Sequence, residues 1–356
     1  MIELRQGHPL IIAGPCGAEN REQTLSTCRA LAATGMIHAL RAGVWKPRTS
    51  PSSFQGAGEQ ALVWLREAGR ETGLPFGVEA ASADHVRMAS DYGAGFVWIG
   101  ARTTVNPFIV QEIAGSIAGT GLAVLIKNPI TPDIDLWDGA VERMLAAGIG
   151  ADRIGLVHRG FSMAGHGSYR NPPMWHIALE MRRRRQQLVM LADPSHMAGR
   201  RELIPDISQK AADLGYDGLM IESHINPDAA LSDAAQQFTP ADLAEILRNI
   251  KWRSGSTDDP AFAEALVRCR SEIDRLDAEL LGLLSHRMNI SEQIGVIKKE
   301  NNVAILQEKR WSEITGSVLS QSEALNLSPE FLRALLEAIH LESINRQNRV
   351  MNEGDK

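Results

Sequence analysis

The sequence predicts an α/β chain in two parts, a (β/α)8 TIM barrel followed by an all-α helical domain, and three observations predict it. Eight short apolar runs without polar alternation recur within about the first 250 residues, as expected of parallel strands covered on both faces. Amphipathic stretches separate these runs, and eight strand–helix units in that length match the size of a barrel. Beyond residue 252 the strand-like runs stop, glycine becomes scarce, and apolar residues fall at helical spacing.

In order, the runs lie at 10–14, 39–43, 75–80, 96–101, 123–128, 153–160, 188–196 and 217–224. Helical spacing fills the intervals, for example Glu59–Glu71 and Trp137–Ala147. A doubly wound open sheet is the alternative, but no G-x-G-x-x-G follows the first run. Residues 1–252 are therefore read as the barrel, and the polar stretch 253–260 as a linker. Residues 261–352 are read as the helical domain. Its first helix is expected over 261–300, with an apolar stripe through Leu266, Cys269, Ile273, Leu276, Leu280, Leu283, Ile290, Ile294 and Ile297. Asp258 or Asp259 is the expected N-cap, with Pro260 in the first turn. At 1.5 Å per residue such a helix is about 60 Å long and needs a partner along its length. Two further helices are expected over 307–324 and 329–350, with Ser328-Pro329-Glu330 starting the last.

Composition excludes several classes. The 356 residues are 44% hydrophobic and 22% charged, as in an ordinary soluble globular protein. A net charge of −6 argues against nucleic acid or an anionic membrane as the main partner. No stretch approaches the roughly 18 apolar residues of a membrane span, and the N-terminus lacks a signal-peptide layout. Three cysteines are too few for a disulfide framework, so the expected compartment is the reducing cytoplasm.

A barrel builds its active site where strands end. After strand 1 come Cys16 and Glu19; after strand 2, Arg41, Lys46 and Arg48. Strands 3 to 6 end at Glu79, Arg102, Lys127 and Arg159. Strand 7 ends in Asp193-Pro194-Ser195-His196 and strand 8 in Glu222-Ser223-His224, with Asp233 in the next loop. Six cations at one mouth repel each other unless anions bind there. Guanidinium forks and ammonium groups suit phosphate and carboxylate, so the expected substrates are small and multiply anionic. Cys16, His196, Glu222 and Asp233 come from strands that become neighbours when the barrel closes, and this mixed set suits Mn, Fe, Co or Zn rather than Mg or Ca. The bland readings are a buried hydrophobic cysteine and structural ion pairs; they need many coincidences of type and position at once. Cys28 and Cys269 read as helix-face core, and Arg182–Arg185 as a solvated C-terminal turn favoured by the helix dipole.

The motifs GPCGAE, RAGVWKPRTSPSSFQG, IGAR, LIKN, HRG, DPSHMAGRR, IESH and ALSDAAQQ span nearly the whole first 240 residues. In them the sequence resembles the metal-dependent 3-deoxy-D-arabino-heptulosonate 7-phosphate (DAHP) synthases, which open the shikimate pathway. KPRTS with DPSH and ESH separates that family from the octulosonate 8-phosphate synthases, where KANR-type sequences replace KPRT. The resemblance implies a divalent metal, Mn first, with Fe, Co or Zn as alternatives, on Cys16, His196, Glu222 and Asp233. It implies phosphoenolpyruvate on Arg41, Lys46, Arg102, Lys127 and Arg159, and the phosphate of erythrose 4-phosphate on Arg48, Thr49 and Ser50. In the implied condensation C3 of phosphoenolpyruvate attacks the aldehyde, Lys46 is the candidate proton donor, and Glu79 or the metal orients the water. Gly17 stands where the family more often has Ala or Ser, which leaves the ligand itself in place.

On the long helix Arg270, Arg287 and Lys298 stand out. Lys298 is three turns beyond Arg287 and about 20° around, so both reach one ligand, whereas Arg270 lies about 25 Å away and off by about 100°. Either Arg270 is an unrelated surface charge or it serves the site of a second, antiparallel chain. Residues 262–350 resemble the all-helical chorismate mutases, whose intertwined dimers share sites in this way. Arg270, Arg287, Lys298, Arg310, Ser343 and Gln347 fall on that family's ligand positions without a gap. The bland reading is a dimerising bundle with solvated charges. The resemblance implies chorismate as substrate, held in a compact conformer, with Lys298 and Gln347 on its ether oxygen. Where the family often has an acid after the Arg310 position, this chain has Trp311, so Gln307 or Glu308 must meet the substrate hydroxyl.

Only nine residues precede the first run, which leaves no room for an N-terminal sensing domain. Feedback by prephenate or chorismate is therefore expected through the helical domain, in a homodimer formed by it. Two alternatives stand beside this reading: a synthase for another aldose phosphate with a purely regulatory helical domain, and a non-catalytic sensor on a degenerate barrel.

Overall fold

The computed structural model describes the chain except residues 1, 3, 5, 8, 47–53, 164–166, 307 and 353–356, and only the backbone of 308–310. It divides into two compact units, Met1–Gly255 and Ser256–Lys356.

In the first unit eight parallel strands close into a barrel in chain order. They are β1 (Leu10–Gly14), β2 (Ala39–Ala42), β3 (Phe76–Ala80), β4 (Phe96–Ile99), β5 (Ala123–Lys127), β6 (Ile154–His158), β7 (Val189–Ala192) and β8 (Gly218–Glu222). β8 closes on β1 with Leu10 opposite Gly218 and Gly14 opposite Glu222. Around the strands run α1 (Arg21–Ala33), α2 (Glu59–Thr72), α3 (Ala83–Asp91), α4 (Ala101–Thr104) and α5 (Pro107–Ala118). They are followed by α6 (Ile134–Ala146), α7 (Trp175–Arg184), α8 (Pro194–Ala198), α9 (Ile204–Asp213) and α10 (Pro240–Asn249). Asn20, Ser82, Asn106, Asp133 and Thr239 start α1, α3, α5, α6 and α10 by accepting backbone N–H bonds that the first turn leaves unpaired.

Alternation along the strands sorts the core into two. Leu10, Ile12, Phe96, Trp98, Leu125, Val157, Leu191 and Met220 point inward and fill the barrel, with Ile2 and Leu4 packed among them. The alternate residues, among them Ile11, Val78, Val97, Val124, Leu156 and Ile221, point outward against Leu25, Leu62, Leu65, Ile113 and Val141 of the helices. This explains why the runs lack polar alternation: both faces are dry. Two large rings fit inside because neighbours are small; a Cβ on Gly77 would run into the Phe96 ring.

The expected solvated turn at Arg182–Arg185 is instead an ion-paired seam. Arg183 pairs with Glu180, Arg184 with Asp135, Asp138 and Glu180, Arg185 with Asp138 and Glu142, and Arg182 with Asp217. Glu180 lies on α7 itself, one turn back; the other acids come from α6 and from the turn before β8, which sequence spacing alone does not bring near.

The second unit is helical: α11 (Pro260–Glu300, 41 residues), α12 (Glu308–Leu319), α13 (Ser322–Leu325) and α14 (Pro329–Asn352). Asp259 caps α11 by accepting from Ala261 N at 2.9 Å, and Ser328 accepts from Phe331 N at 3.2 Å at the start of α14. The helix expected over 307–324 is broken into α12 and α13. α11 and α14 pack through Met288, Ser291, Gly295, Ser343 and Gln347. Gly295 lets the backbones approach, since a Cβ there would stand 3.1 Å from Gln347 Cα. The apolar stripe is not this contact. Ile273, Leu276, Leu280, Leu283, Ile290, Ile294 and Ile297 are 42–69% exposed. Cys269 is exposed as well, against the expectation of core, whereas Cys28 is buried. Among the described residues no helix is long and apolar enough to cross a membrane.

Candidate active sites

The inward alternation that packs the barrel continues to its C-terminal end, where polar residues take over. Arg41, Glu79, Lys127 and Glu222 end β2, β3, β5 and β8, while Arg159 and Asp193 directly follow β6 and β7. All of these but Asp193 line a cavity of about 250 Å³, as do Cys16, Lys46, Arg102, Arg170, His196 and Asp233. The mouth thus collects Cys16, Arg41, Lys46, Glu79, Arg102, Lys127, Arg159, His196, Glu222 and Asp233; Glu19 and His224 do not line it, and Arg48, Thr49 and Ser50 lie outside the described residues.

The cations do not face one another alone. Lys127 Nζ lies 2.6 Å from Asp193 Oδ2, Arg41 Nη2 3.3 Å from Glu222 Oε1, and Arg170 Nη1 3.0 Å from Asp233 Oδ1. The expected repulsion is therefore partly met by carboxylates of the protein itself. Arg41 nevertheless keeps Nε and Nη1 buried with no hydrogen-bond partner among the described residues, with its guanidinium 4.9 Å from the Trp98 ring. Buried unpaired donors are costly, and an anion in the cavity satisfies them. Burial pulls Arg159 down to about 10 against the pull of Asp193, a further sign of a cation that lacks full compensation.

Beneath this ring, His158 fixes the segment carrying Arg159 and Arg170. Its Nε2 is 2.6 Å from the Pro173 carbonyl, which only accepts, so Nε2 bears the hydrogen and Tyr216 Oη donates to Nδ1 at 2.8 Å. Burial pulls this imidazole down to about 3, so it stays neutral.

The four soft and hard donors stand as two pairs. Cys16 Sγ is 3.1 Å from Asp233 Oδ2, and His196 Nε2 is 3.8 Å from Glu222 Oε1. Among the described residues no three such groups form one compact cluster. Lys46 Nζ donates to Cys16 Sγ at 2.6 Å and to Cys16 O at 2.7 Å. Burial pushes the Cys16 thiol up to about 12, Glu222 adding to this and Lys46 opposing it. Burial also opposes charge on Asp233 and Glu222. The Cys16 bond and Arg170 hold Asp233 low, while His196 and Arg41 hold Glu222 low.

Two details fit this set to a divalent ion. Glu222 Oε2 accepts from Gln236 Nε2 at 2.7 Å, whereas Oε1 is buried with no hydrogen-bond partner among the described residues. His196 Nδ1 is 2.8 Å from Asp193 Oδ2, which assigns its hydrogen to Nδ1 and turns the Nε2 lone pair toward Glu222. A carboxylate behind a histidine is the usual support of a metal-binding imidazole, and sulfur, nitrogen and two oxygens suit a borderline transition metal.

Sequence reading missed Arg170 and Trp98 as parts of this site, and it named Asp193 at the end of strand 7 without giving it a role. Trp98 and Asp193 carry a signal, the inward alternation of β4 and β7. Arg170 sits in the long connection after β6, where no periodicity marks it.

In the helical unit Arg287 Nη1 donates to Ser343 Oγ at 2.7 Å, and Lys298 Nζ donates to Gln347 Oε1 at 3.1 Å. Four of the predicted residues thus meet between α11 and α14, as the spacing requires. Burial pulls Lys298 below the ordinary lysine value. Arg270 is exposed on the first half of α11, away from this cluster. Trp311 stacks on His340, with ring centroids 4.0 Å apart and planes 16° apart. Gln307 and the side chains of Glu308 and Arg310 lie outside the described residues.

Two family models match the chain. One, described as the DAHP synthetase I family, covers residues 2–256, and the other, chorismate mutase type II, covers residues 269–348. The chain is 34% identical over 250 residues to a phospho-2-dehydro-3-deoxyheptonate aldolase of Thermotoga maritima, covering 70% of this chain and 71% of that one. A 2-dehydro-3-deoxyphosphooctonate aldolase of Syntrophotalea carbinolica is 28% identical over 269 residues, covering 68% and 90%. A crystal structure of the DAHP synthase from Thermotoga maritima superposes with a TM-score of 0.63 at 32% identity, covering 74% of this chain and 72% of that one.

Proposed function

The chain belongs to the DAHP synthetase I family and carries a chorismate mutase type II segment, and on that premise we propose one site for each of two reactions. The chain is a DAHP synthase fused to a chorismate mutase. It condenses phosphoenolpyruvate with erythrose 4-phosphate and water to give DAHP and phosphate, and it rearranges chorismate to prephenate. The domain division is 1–252 for the synthase, 253–260 for the linker and 261–352 for the mutase.

The observation that carries the synthase site is the convergence of Arg41, Lys46, Arg102, Lys127 and Arg159 on one cavity with Cys16, His196, Glu222 and Asp233. The cations hold phosphoenolpyruvate, with Arg41 supplying the buried donors that lack a partner. Arg48, Thr49 and Ser50 take the phosphate of the sugar. The synthase family is metal-dependent, and Cys16, His196, Glu222 and Asp233 hold the ion, Mn first and Fe, Co or Zn as alternatives. A divalent ion there supplies Lewis-acid polarisation of the aldehyde oxygen. As C3 of phosphoenolpyruvate bonds to the aldehyde carbon, Lys46 gives a proton to the aldehyde oxygen, which becomes a hydroxyl. Glu79, hydrogen-bonded by Trp98 Nε1 at 3.3 Å, orients the water that adds at C2. Phosphate then leaves C2 and the ketone forms.

Chorismate rearrangement needs no acid, base or nucleophile. Arg287 and Arg310, with Ser343 beside Arg287, hold carboxylates so that the chain of the substrate folds over its ring. Lys298 and Gln347 stabilise negative charge that grows on the ether oxygen. Arg270 reaches the site of a second copy, which also covers the exposed stripe of α11, so the mutase works as a homodimer. Prephenate or chorismate bound to this domain tunes the synthase. The protein works in the cytoplasm, where a free Cys16 persists.

The test is a pair of assays on the metal-reconstituted chain, with and without a chelator. Loss of phosphoenolpyruvate with erythrose 4-phosphate and loss of chorismate are both expected, and only the first stops with the chelator. Turnover with another aldose phosphate alone would reassign the barrel's substrate. Untouched chorismate would make the helical domain a regulator, with Trp311 in the acid's place as the reason.

A further inference from the structure

The ALSDAAQQ motif supplies Asp233, but its two glutamines have no place in the reactions above. Both are buried, Gln236 at 1% exposure and Gln237 at 0%. Gln237 Oε1 accepts from Cys16 N at 2.9 Å, and its Nε2 donates to Ser232 O at 2.9 Å. One amide therefore ties the backbone of Cys16 to the residue before Asp233. Gln236 Nε2 donates to Glu222 Oε2 at 2.7 Å, and its Oε1 accepts from Arg170 Nη1 at 2.9 Å. The same Nη1 donates to Asp233 Oδ1 at 3.0 Å. Two adjacent side chains thus reach the β1 loop, the end of β8 and the loop after it.

Each position asks for one donor and one acceptor at the end of a three-carbon reach. A side-chain amide meets that demand; a carboxylate lacks the donor and a hydrocarbon lacks both. Neither glutamine lines the cavity, so neither meets substrate. By occupying Glu222 Oε2, Gln236 leaves Oε1 as the atom turned toward His196. Asp233 stands at φ 51°, a left-handed conformation that a non-glycine residue keeps only when its surroundings impose it. The Gln237 bond to Ser232 is part of that constraint.

We propose that Gln236 and Gln237 are positioning residues that preset Cys16, Glu222 and Asp233 for the metal, which rests on reading those three as its ligands. The experiment measures Mn²⁺ affinity of the full metal-stripped chain by competition with a fluorescent chelator. Thermal unfolding of the metal-free protein is followed in parallel. Gln236→Met and Gln237→Met keep the volume and remove the paired bonds, and each is expected to lose about 10- to 100-fold in Mn²⁺ affinity. Gln236→Glu and Gln237→Glu replace them in the measurement if the Met variants do not fold. Leu65→Ala, in the outer helix layer, lowers stability without touching these groups and is expected to leave the affinity within about threefold of wild type.

A loss of tenfold or more in each glutamine variant, with Leu65→Ala unaffected, supports the proposal. A smaller loss in either, or an equal loss in Leu65→Ala, overturns it. Cys16→Ala separates the two readings. If it loses Mn²⁺ while the glutamine variants bind as wild type, positioning alone falls. If Cys16→Ala binds as tightly as wild type, the ligand reading falls and takes the proposal with it.

Discussion

Asp193 is fully buried and makes three contacts: 2.6 Å from Lys127 Nζ, 2.8 Å from His196 Nδ1, and 3.1 Å from His196 N at the start of α8. Lys127 is itself 5% exposed. Asp193→Asn keeps the shape but strands a buried ammonium, and removing one partner of a buried pair costs about 3–5 kcal/mol. For a unit of this size 1 kcal/mol corresponds to about 2–4 °C, so the unfolding midpoint should fall by roughly 6–20 °C. Lys127→Met should cost a similar amount by stranding the carboxylate. The double variant should cost clearly less than the sum, because it leaves neither charge alone. Tryptophan fluorescence during urea unfolding is the assay, since six of the seven tryptophans (all but Trp311) lie in the barrel unit. The pH dependence has a fixed sign. Burial opposes charge on Asp193, but His196 and Lys127 hold its carboxyl well below the usual range. Its contribution is therefore complete above the unfolded value of about 4 and is lost as pH falls through the folded one. The gap between wild type and Asp193→Asn should be flat at neutral pH and shrink only in acid. Additive single costs, or a gap that grows in acid, would refute this account of the pair.

Four further outcomes are expected. Lys46→Met should lower the synthase rate by about 10²- to 10⁴-fold while chorismate turnover stays intact, as steady-state assays of both reactions on one preparation will report. Lys298→Met should do the reverse, reducing the mutase by about 10²- to 10³-fold and sparing phosphoenolpyruvate consumption. Leu276→Glu with Leu280→Glu should shift sedimentation from dimer to monomer. Mixing Arg270→Ala chains with Lys298→Met chains should restore about a quarter of mutase sites, a recovery that a self-contained site would not give.

The barrel was legible because a strand buried on both faces writes itself as an unbroken apolar run, and parallel strands set the order of everything between them. Cys16, His196, Glu222 and Asp233 were legible for a related reason: strand ends are fixed in space once the barrel closes, so position along the chain becomes position around a mouth. Contacts made across loops were not. Arg170 reaches Asp233 over 63 positions, and Arg184 reaches Asp135 over 49. Neither carries a period or a motif. On α11 the stripe through Ile273 and Leu283 was visible as apolar spacing. The face that packs on α14 was not, because Ser291 and Gly295 serve there by being small, and hydrophobicity does not register smallness.

The packed floor of the barrel has a consequence for traffic. Ile2, Leu4, Leu10, Ile12, Phe96 and Leu125 fill its interior, so the polar pocket above them is a cul-de-sac reached from one end. Whatever sits deepest, against the buried Arg41 and Lys127, has to arrive before its companion and depart after the path above it clears. Order of entry and exit is then a property of plumbing. It should appear as an ordered pattern in initial-rate and product-inhibition kinetics, independent of how tightly either reactant is held.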